Sequence, residues 1–268
     1  MQGKIICEGI ETSYVKKGRG KPIFFIHGWG GESDSWAALI EKLNQNKYCM
    51  FAVDMPGFGA AAEPPRPWSV EDYSKFFSHF VQKMYTKYSL SGNYSLVVHS
   101  FGGRVAIKHF VNLNKTRTRG PNVEKLVLIG AAGIKHSHTI KQRIAYVFAK
   151  MGDAFFTLPI LHYFKKAAKA ALYKFMHVHD YESLSGVMKD TFLKVKDENL
   201  LPYIDQINCS TLIIWGKHDG YVPLRDAYTM QSLIPGAKLK IIPEGRHGIH
   251  RTHARKVATY IDTFLSTR

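Results

Sequence analysis

Six short, almost wholly apolar runs constrain what this chain can fold into. They are Pro22–His27 (PIFFIH), Tyr48–Val53 (YCMFAV), Tyr94–Val98 (YSLVV), Lys125–Ile129 (KLVLI), Thr211–Trp215 (TLIIW) and Leu239–Ile242 (LKII). A strand with one wet face alternates apolar and polar residues, whereas a solid run of this length marks a strand covered on both faces. Helical patterns lie between the runs, at Trp36–Leu43, Val70–Tyr88, Gly103–Leu113 and Ala254–Leu265. This alternation predicts an α/β fold, a mostly parallel sheet with helices on both faces. Ahead of the first run, Lys4–Glu8 and Glu11–Lys16 alternate around Gly9 and read as a hairpin.

One stretch breaks the rhythm. From about Lys135 to Tyr203 no strand pattern occurs. Ile160–Phe175 instead places Leu161, Phe164, Ala168, Leu172 and Phe175 on one helical face, with Lys165, Lys166, Lys169 and Lys174 elsewhere. Helix inserted between two strands is expected to cap the sheet's C-terminal edge, where open α/β sheets bind ligands. The expected division is a core of residues 1–133 and 205–268 and a cap of residues 134–204.

Other classes are set aside by what the chain contains. The start, Met1-Gln2-Gly3-Lys4-Ile5-Ile6-Cys7-Glu8, has no apolar run of signal-peptide length. The longest nearly apolar stretch, Leu126–Ile134, is too short to span a bilayer roughly 30 Å thick. Cys7, Cys49 and Cys209 are scattered, with no CxxC pairing, so neither a disulfide framework nor a zinc site is expected. A cytoplasmic location follows as the expectation. No HExxH, Walker loop or GxGxxG occurs, so no metal or organic cofactor is expected.

The residues that carry chemistry stand at strand ends. Ser100 lies in Val97-Val98-His99-Ser100-Phe101-Gly102-Gly103, where an apolar strand runs straight into a helix. So sharp a turn lifts the hydroxyl above the sheet and aims the helix N-terminus at it, and the glycines allow strand and helix to approach. The usual pattern is G-x-S-x-G, and Val98 takes its first glycine. A serine hydroxyl needs a base, and the base an orienting carboxylate. Asp219 follows the strand Thr211–Trp215, and His247 follows Leu239–Ile242. The rivals are weaker. His250 and His253 lead into the last helix, where outward-facing side chains are expected. Asp226 reads as the first turn of a helix, and Glu244 is only three residues from His247. After the first buried strand, His27-Gly28-Trp29-Gly30-Gly31 is the expected oxyanion loop, its donors the amides of Trp29 and Phe101. His27 is expected to brace that loop.

Taken together, HGWGG at 27–31, DMPGFG at 54–59, HSFGG at 99–103, WGKHD at 215–219 and the His247 loop resemble the α/β-hydrolase superfamily over nearly the whole chain. The resemblance implies an eight-stranded, mostly parallel core, a helical cap after the sixth strand and a Ser100–His247–Asp219 triad. It implies a structural role for the loop that starts at Asp54. Haloalkane dehalogenases and epoxide hydrolases place Asp where this chain has Ser100. The chain is most similar to the capped single-domain group of small esterases, C–C hydrolases, enol-lactonases and haloperoxidase-like proteins.

The expected activity is therefore cleavage of a small-molecule carboxylic ester through an acyl-enzyme. The alternatives are a lipid-directed hydrolase, a C–C bond hydrolase and a non-catalytic binder that keeps the fold. A formal net charge of +16 would suit an anionic substrate or surface. Lys135–Lys174 carries +7 of it, Lys115–Arg119 +3 and Arg246–Lys256 +4. No nucleic-acid-binding module or base-stacking motif accompanies that charge, so nucleic acid is not an expected partner. Oligomeric state is not legible in the sequence.

Overall fold

The computed structural model describes residues 1–116, 120–136 and 186–267. Eight strands form one open sheet, in chain order β1 (Gln2–Cys7), β2 (Ile10–Lys17), β3 (Lys21–Ile26), β4 (Tyr48–Val53), β5 (Tyr94–His99), β6 (Val123–Ile129), β7 (Ser210–Gly216) and β8 (Lys238–Ile242). Their spatial order is β1-β2-β4-β3-β5-β6-β7-β8. The hairpin β1–β2 and the pair β2–β4 are antiparallel; every other pair is parallel. The solid apolar runs are these parallel strands.

Strand alternation divides their side chains between two cores. Phe24, Ile26, Phe51, Val53, Leu96, Val98, Leu126 and Leu128 face the side packed by α2 (Val70–Lys87) and α3 (Phe101–Thr116). Ile23, Phe25, Met50, Ala52, Val97, Val127 and Ile129 face the other, under α1 (Ala37–Ile40) and α7 (Ala254–Ser266). Both layers are essentially dry along β3–β7, which is why those strands read as continuous apolar runs; β8, expected to be covered on both faces as well, is the edge strand and is exposed or half-buried except at Ile242. Val98 is one of these core residues, fully buried and paired with Ile26 and Leu128. Its extra bulk sits in the sheet core.

Chain direction sets the ligand edge. From β3 the chain crosses to β4 on one side, then returns to β5 on the other. The loops leaving β3 and β5 therefore diverge, and such a switch point opens a crevice at the strands' carboxyl ends.

Of the expected cap, residues 137–185 lie outside the described residues, the Ile160–Phe175 pattern among them. The returning part is helix α4 (Gly186–Asp197), followed by a 3₁₀ turn at Leu201–Gln206. The outgoing and returning chains meet at a neck. Leu200 N–H donates to Gly133 O at 2.9 Å, and Lys135 N–H to Asn199 Oδ1 at 3.1 Å. The buried Arg104 guanidinium donates to Glu198 O at 2.7 Å, tying the same segment to α3. Two further helices complete the core, α5 (Leu224–Leu233) and the short α6 (Ile249–Thr252).

Buried histidines shape the acid response. His109 is enclosed between α2, α3 and β5; Tyr94 donates to its Nε2 at 2.7 Å. Ser78 Oγ lies 3.0 Å from Nδ1 and gives its own hydrogen to Ser74 O. Nδ1–H is thus a donor to Ser78, and the ring is neutral. Burial lowers its pKa to about 4, that of His27 to about 4 and that of His250 to about 3. In the unfolded chain each titrates near the ordinary histidine value, so the unfolded state binds more protons below it. Stability is full above about pH 6.5 and is lost as pH falls toward 4, by on the order of 2–3 kcal/mol per histidine. Urea midpoints should be flat above neutrality and fall steeply below pH 6.5. A midpoint unchanged down to pH 4.5 would contradict this account.

Candidate active site

Ser100 occupies the turn between β5 and α3 with φ = 49°. A non-glycine residue in this left-handed region costs roughly 1–2 kcal/mol and persists only where its surroundings fix it. Here they do. Ser100 N–H donates to Ile129 O at 3.2 Å, while Ser100 O accepts from Gly103 N–H at 2.8 Å and Ala132 N–H at 2.9 Å. The helix then starts so close to β3 that a Cβ on Gly102 would lie 2.5 Å from Ile26 O, and so close to the loop after β6 that one on Gly103 would lie 2.6 Å from Ala131 Cβ. Both glycines are thus required by close approach, as the sequence suggested.

Asp219 and His247 are brought together. Asp219 Oδ2 lies 2.8 Å from His247 Nδ1. Its Oδ1 accepts the main-chain N–H groups of Tyr221 and Val222, each at 2.9 Å. The carboxylate is completely buried, with both oxygens engaged, and the imidazole is 17% exposed. With the Asp219 oxygen as acceptor, His247 carries its hydrogen on Nδ1 and Nε2 is left bare. The Tyr221 ring lies over the imidazole, centroids 5.0 Å apart. Ser100 stands at the same sheet edge. Its turn bonds to Ile129 and Ala132, and Gly130 between them abuts the histidine–aspartate pair.

The rivals have other partners. Glu244 sits beside His253 and Lys256, at 3.8 and 3.7 Å, not beside His247. Asp226 is in the first turn of α5 as expected, but it is buried and pairs with His136 Nε2 at 2.9 Å. His250 corrects the expectation of an outward-facing side chain. It is 4% exposed and packs between Trp36 and His99, centroids 4.9 and 4.2 Å away. The reason is that α6 is a single turn whose His250 falls on the face turned to Trp36.

The residues of the expected oxyanion loop lie beside the serine turn. The Trp29 indole meets the Phe101 ring edge to face at 5.4 Å, with Phe58 at 4.8 Å and Phe192 of α4 at 5.1 Å. Phe101 opens α3, so its amide precedes any intrahelical acceptor. His27 does brace the loop: Nε2 accepts from Met55 N–H at 3.0 Å, and Nδ1–H donates to Gly28 O at 2.7 Å. Asp54 is structural, its carboxylate accepting from Ser33 N–H at 2.6 Å and Ala60 N–H at 3.0 Å. Among the described residues no group of three or more His, Cys, Asp or Glu is arranged to hold a metal ion.

Three residues at the site were not singled out by sequence: His99, Tyr221 and Gly130. Only their positions beside Ser100, Asp219 and the end of β6 could have drawn notice. Gly130 has φ = 49°, and a Cβ there would lie 3.2 Å from Asp219 Oδ2 and 3.4 Å from His247 Nδ1.

The model of the alpha/beta hydrolase family matches residues 23–259. This chain belongs to that family. It is 27% identical over 97% of its length, and 89% of the relative's, to a 2-hydroxy-6-oxo-6-(2'-aminophenyl)hexa-2,4-dienoic acid hydrolase of Metapseudomonas resinovorans. It is 28% identical to a putative non-heme chloroperoxidase of a Synechocystis strain, covering 96% of this chain and 95% of that one. Among solved structures, a serine hydrolase involved in carbazole degradation superposes with a TM-score of 0.71 at 25% identity, covering 100% of this chain and 99% of that one. An Exiguobacterium antarcticum esterase shares the fold with a TM-score of 0.75 at 21% identity and full coverage of both chains. No helix among the described residues is long and apolar enough to cross a membrane.

Gly130→Ala should destabilise the fold by about 1–2 kcal/mol through the left-handed backbone alone. The expected result is a lower urea midpoint with an unchanged m-value; a wild-type midpoint would show that the turn relaxes at no cost.

Proposed function

We propose that this protein is a serine hydrolase acting on carboxylic esters. The observation that carries the reading is the buried Asp219 hydrogen-bonded to His247 Nδ1, at the sheet edge where the strained turn holds Ser100. In this reading Ser100 Oγ attacks the ester carbonyl while His247 Nε2 takes its proton. Negative charge on the carbonyl oxygen is met by the amides of Trp29 and Phe101. His247 returns the proton to the leaving alcohol, giving the acyl-enzyme. Water, deprotonated by His247, then attacks the acyl carbon, and Ser100 leaves with the proton. Asp219 holds the tautomer and stabilises the imidazolium without itself taking the proton. No cofactor enters these steps.

The neck at Gly133–Leu200 supports a cap over this edge, comprising residues 134–204, on a core of 1–133 and 205–268. The thiols of Cys7, Cys49 and Cys209 are all free, which supports a reducing, cytoplasmic setting. Ser100→Ala should remove ester hydrolysis, roughly a million-fold loss in kcat, and also labelling by a fluorophosphonate probe. A labelled variant would refute the assignment of Ser100.

A second reading, C–C bond hydrolysis at the same residues, is favoured by the 27% identity to the dienoic acid hydrolase. A substrate panel separates the two. Acetyl to butyryl p-nitrophenyl esters should be turned over fastest. Preference for octanoyl or longer chains would move the substrate toward lipids, and turnover of a 2-hydroxy-6-oxo-dienoate without ester turnover would favour the C–C reading.

A further inference from the structure

His99 ends β5, immediately before Ser100. Strand alternation turns it away from α3: Val98 joins the core under α2 and α3, whereas Val97, and with it His99, faces the side of α1 and α7. The residue is 8% exposed. Its Nε2 lies 3.1 Å from the main-chain oxygen of His247. A carbonyl only accepts, so Nε2 carries the hydrogen and Nδ1 is bare. Nδ1 faces the oxyanion loop, where a Cβ on Gly28 would lie 2.8 Å from it. The ring centroid is 4.6 Å from that of His247 and 4.2 Å from that of His250. One imidazole thus touches the loops that carry Trp29 and His247 and adjoins the serine turn.

The His247 loop is pinned on either side of the histidine. Gly245 O accepts from His218 N–H at 2.9 Å, and Gly248 O accepts from Arg251 and Thr252 N–H at 3.0 Å each. At His247 itself the carbonyl is held by His99. The titratable groups around the ring are His27 at the end of β3, His247 and His250 after β8, and Asp219 beyond His247. Burial presses His99 well below the ordinary histidine range, and His250, His247 and His27 push in the same direction. It therefore remains a neutral Nε2–H donor while His247 cycles through its cation.

We propose that His99 is a positioning residue: its Nε2–H fixes the main chain of His247, and so the aim of the imidazole at Ser100, while its ring spaces the Gly28–Trp29 loop from the base. The inference rests on the serine-hydrolase reading above.

The test compares His99→Leu, which fills the space without a donor, with His99→Gln, which can return an amide N–H near the Nε2 position. His99→Leu should lower kcat for a short ester by about tenfold with KM within about twofold, as misalignment without loss of binding requires. His99→Gln should recover to within about threefold. A readout that needs no substrate is the deshielded proton of the His247 Nδ1–H to Asp219 hydrogen bond, seen by NMR. It should broaden in His99→Leu and persist in His99→Gln. Wild-type kcat and an undisturbed resonance in His99→Leu would overturn the proposal. So would equal impairment of both variants in step with lost thermal stability, which makes His99 a core residue only. If Ser100→Ala retains hydrolysis, the serine reading falls instead, and the resonance alone decides whether His99 holds His247.

Discussion

The site depends on a contact between backbones. α3 begins so close to the end of β3 that no side chain fits at Gly102, against Ile26 O. That approach leaves one residue to reverse the chain between strand and helix. Ser100 does so in the left-handed region, held by Ile129 on one side and by Gly103 and Ala132 on the other. The strain is supported from both sides, because β5 lies between β3 and β6 in the middle of the sheet. Loops that carry chemistry can then be short, since the sheet has already placed their ends.

Around this turn, burial sorts the charged forms. Asp219 is enclosed and has hydrogen-bond partners on both oxygens, so the buried carboxyl group is not left unpaired. His27, His99 and His250 are enclosed without a carboxylate partner, and burial holds them neutral. His247 alone in this group has a carboxylate partner within hydrogen-bond distance together with partial exposure. Asp226 is the contrasting acid: burial raises its pKa, partly offset by His136.

Much of this was legible in the residues. The solid run YCMFAV coincides with β4 at Tyr48–Val53, since a strand dry on both faces has no other composition open to it. α5 and α4 were harder to see, because their faces are mixed and set by what packs on them rather than by period. His247 was separable from its neighbours because it lies in a loop just past a strand. His250 was misplaced outward, because a one-turn helix has too few residues to show a buried face. His99 did not stand out as a neighbour of His247. The hydrogen bond that links the two joins residues 148 positions apart.

The sequence by itself determined the α/β class, the strand order along the chain and the residue types at the strand ends. These follow from local composition, because two-sided burial and tight turns restrict which residues can stand there. Only the tertiary structure decided which ends meet. It joined Asp219 rather than Asp226 or Glu244 to His247, turned His250 inward and set Gly130 against the pair. Those outcomes depend on sheet register and on the switch of direction at β3. Both are fixed by packing among segments far apart in the chain, which no local pattern encodes.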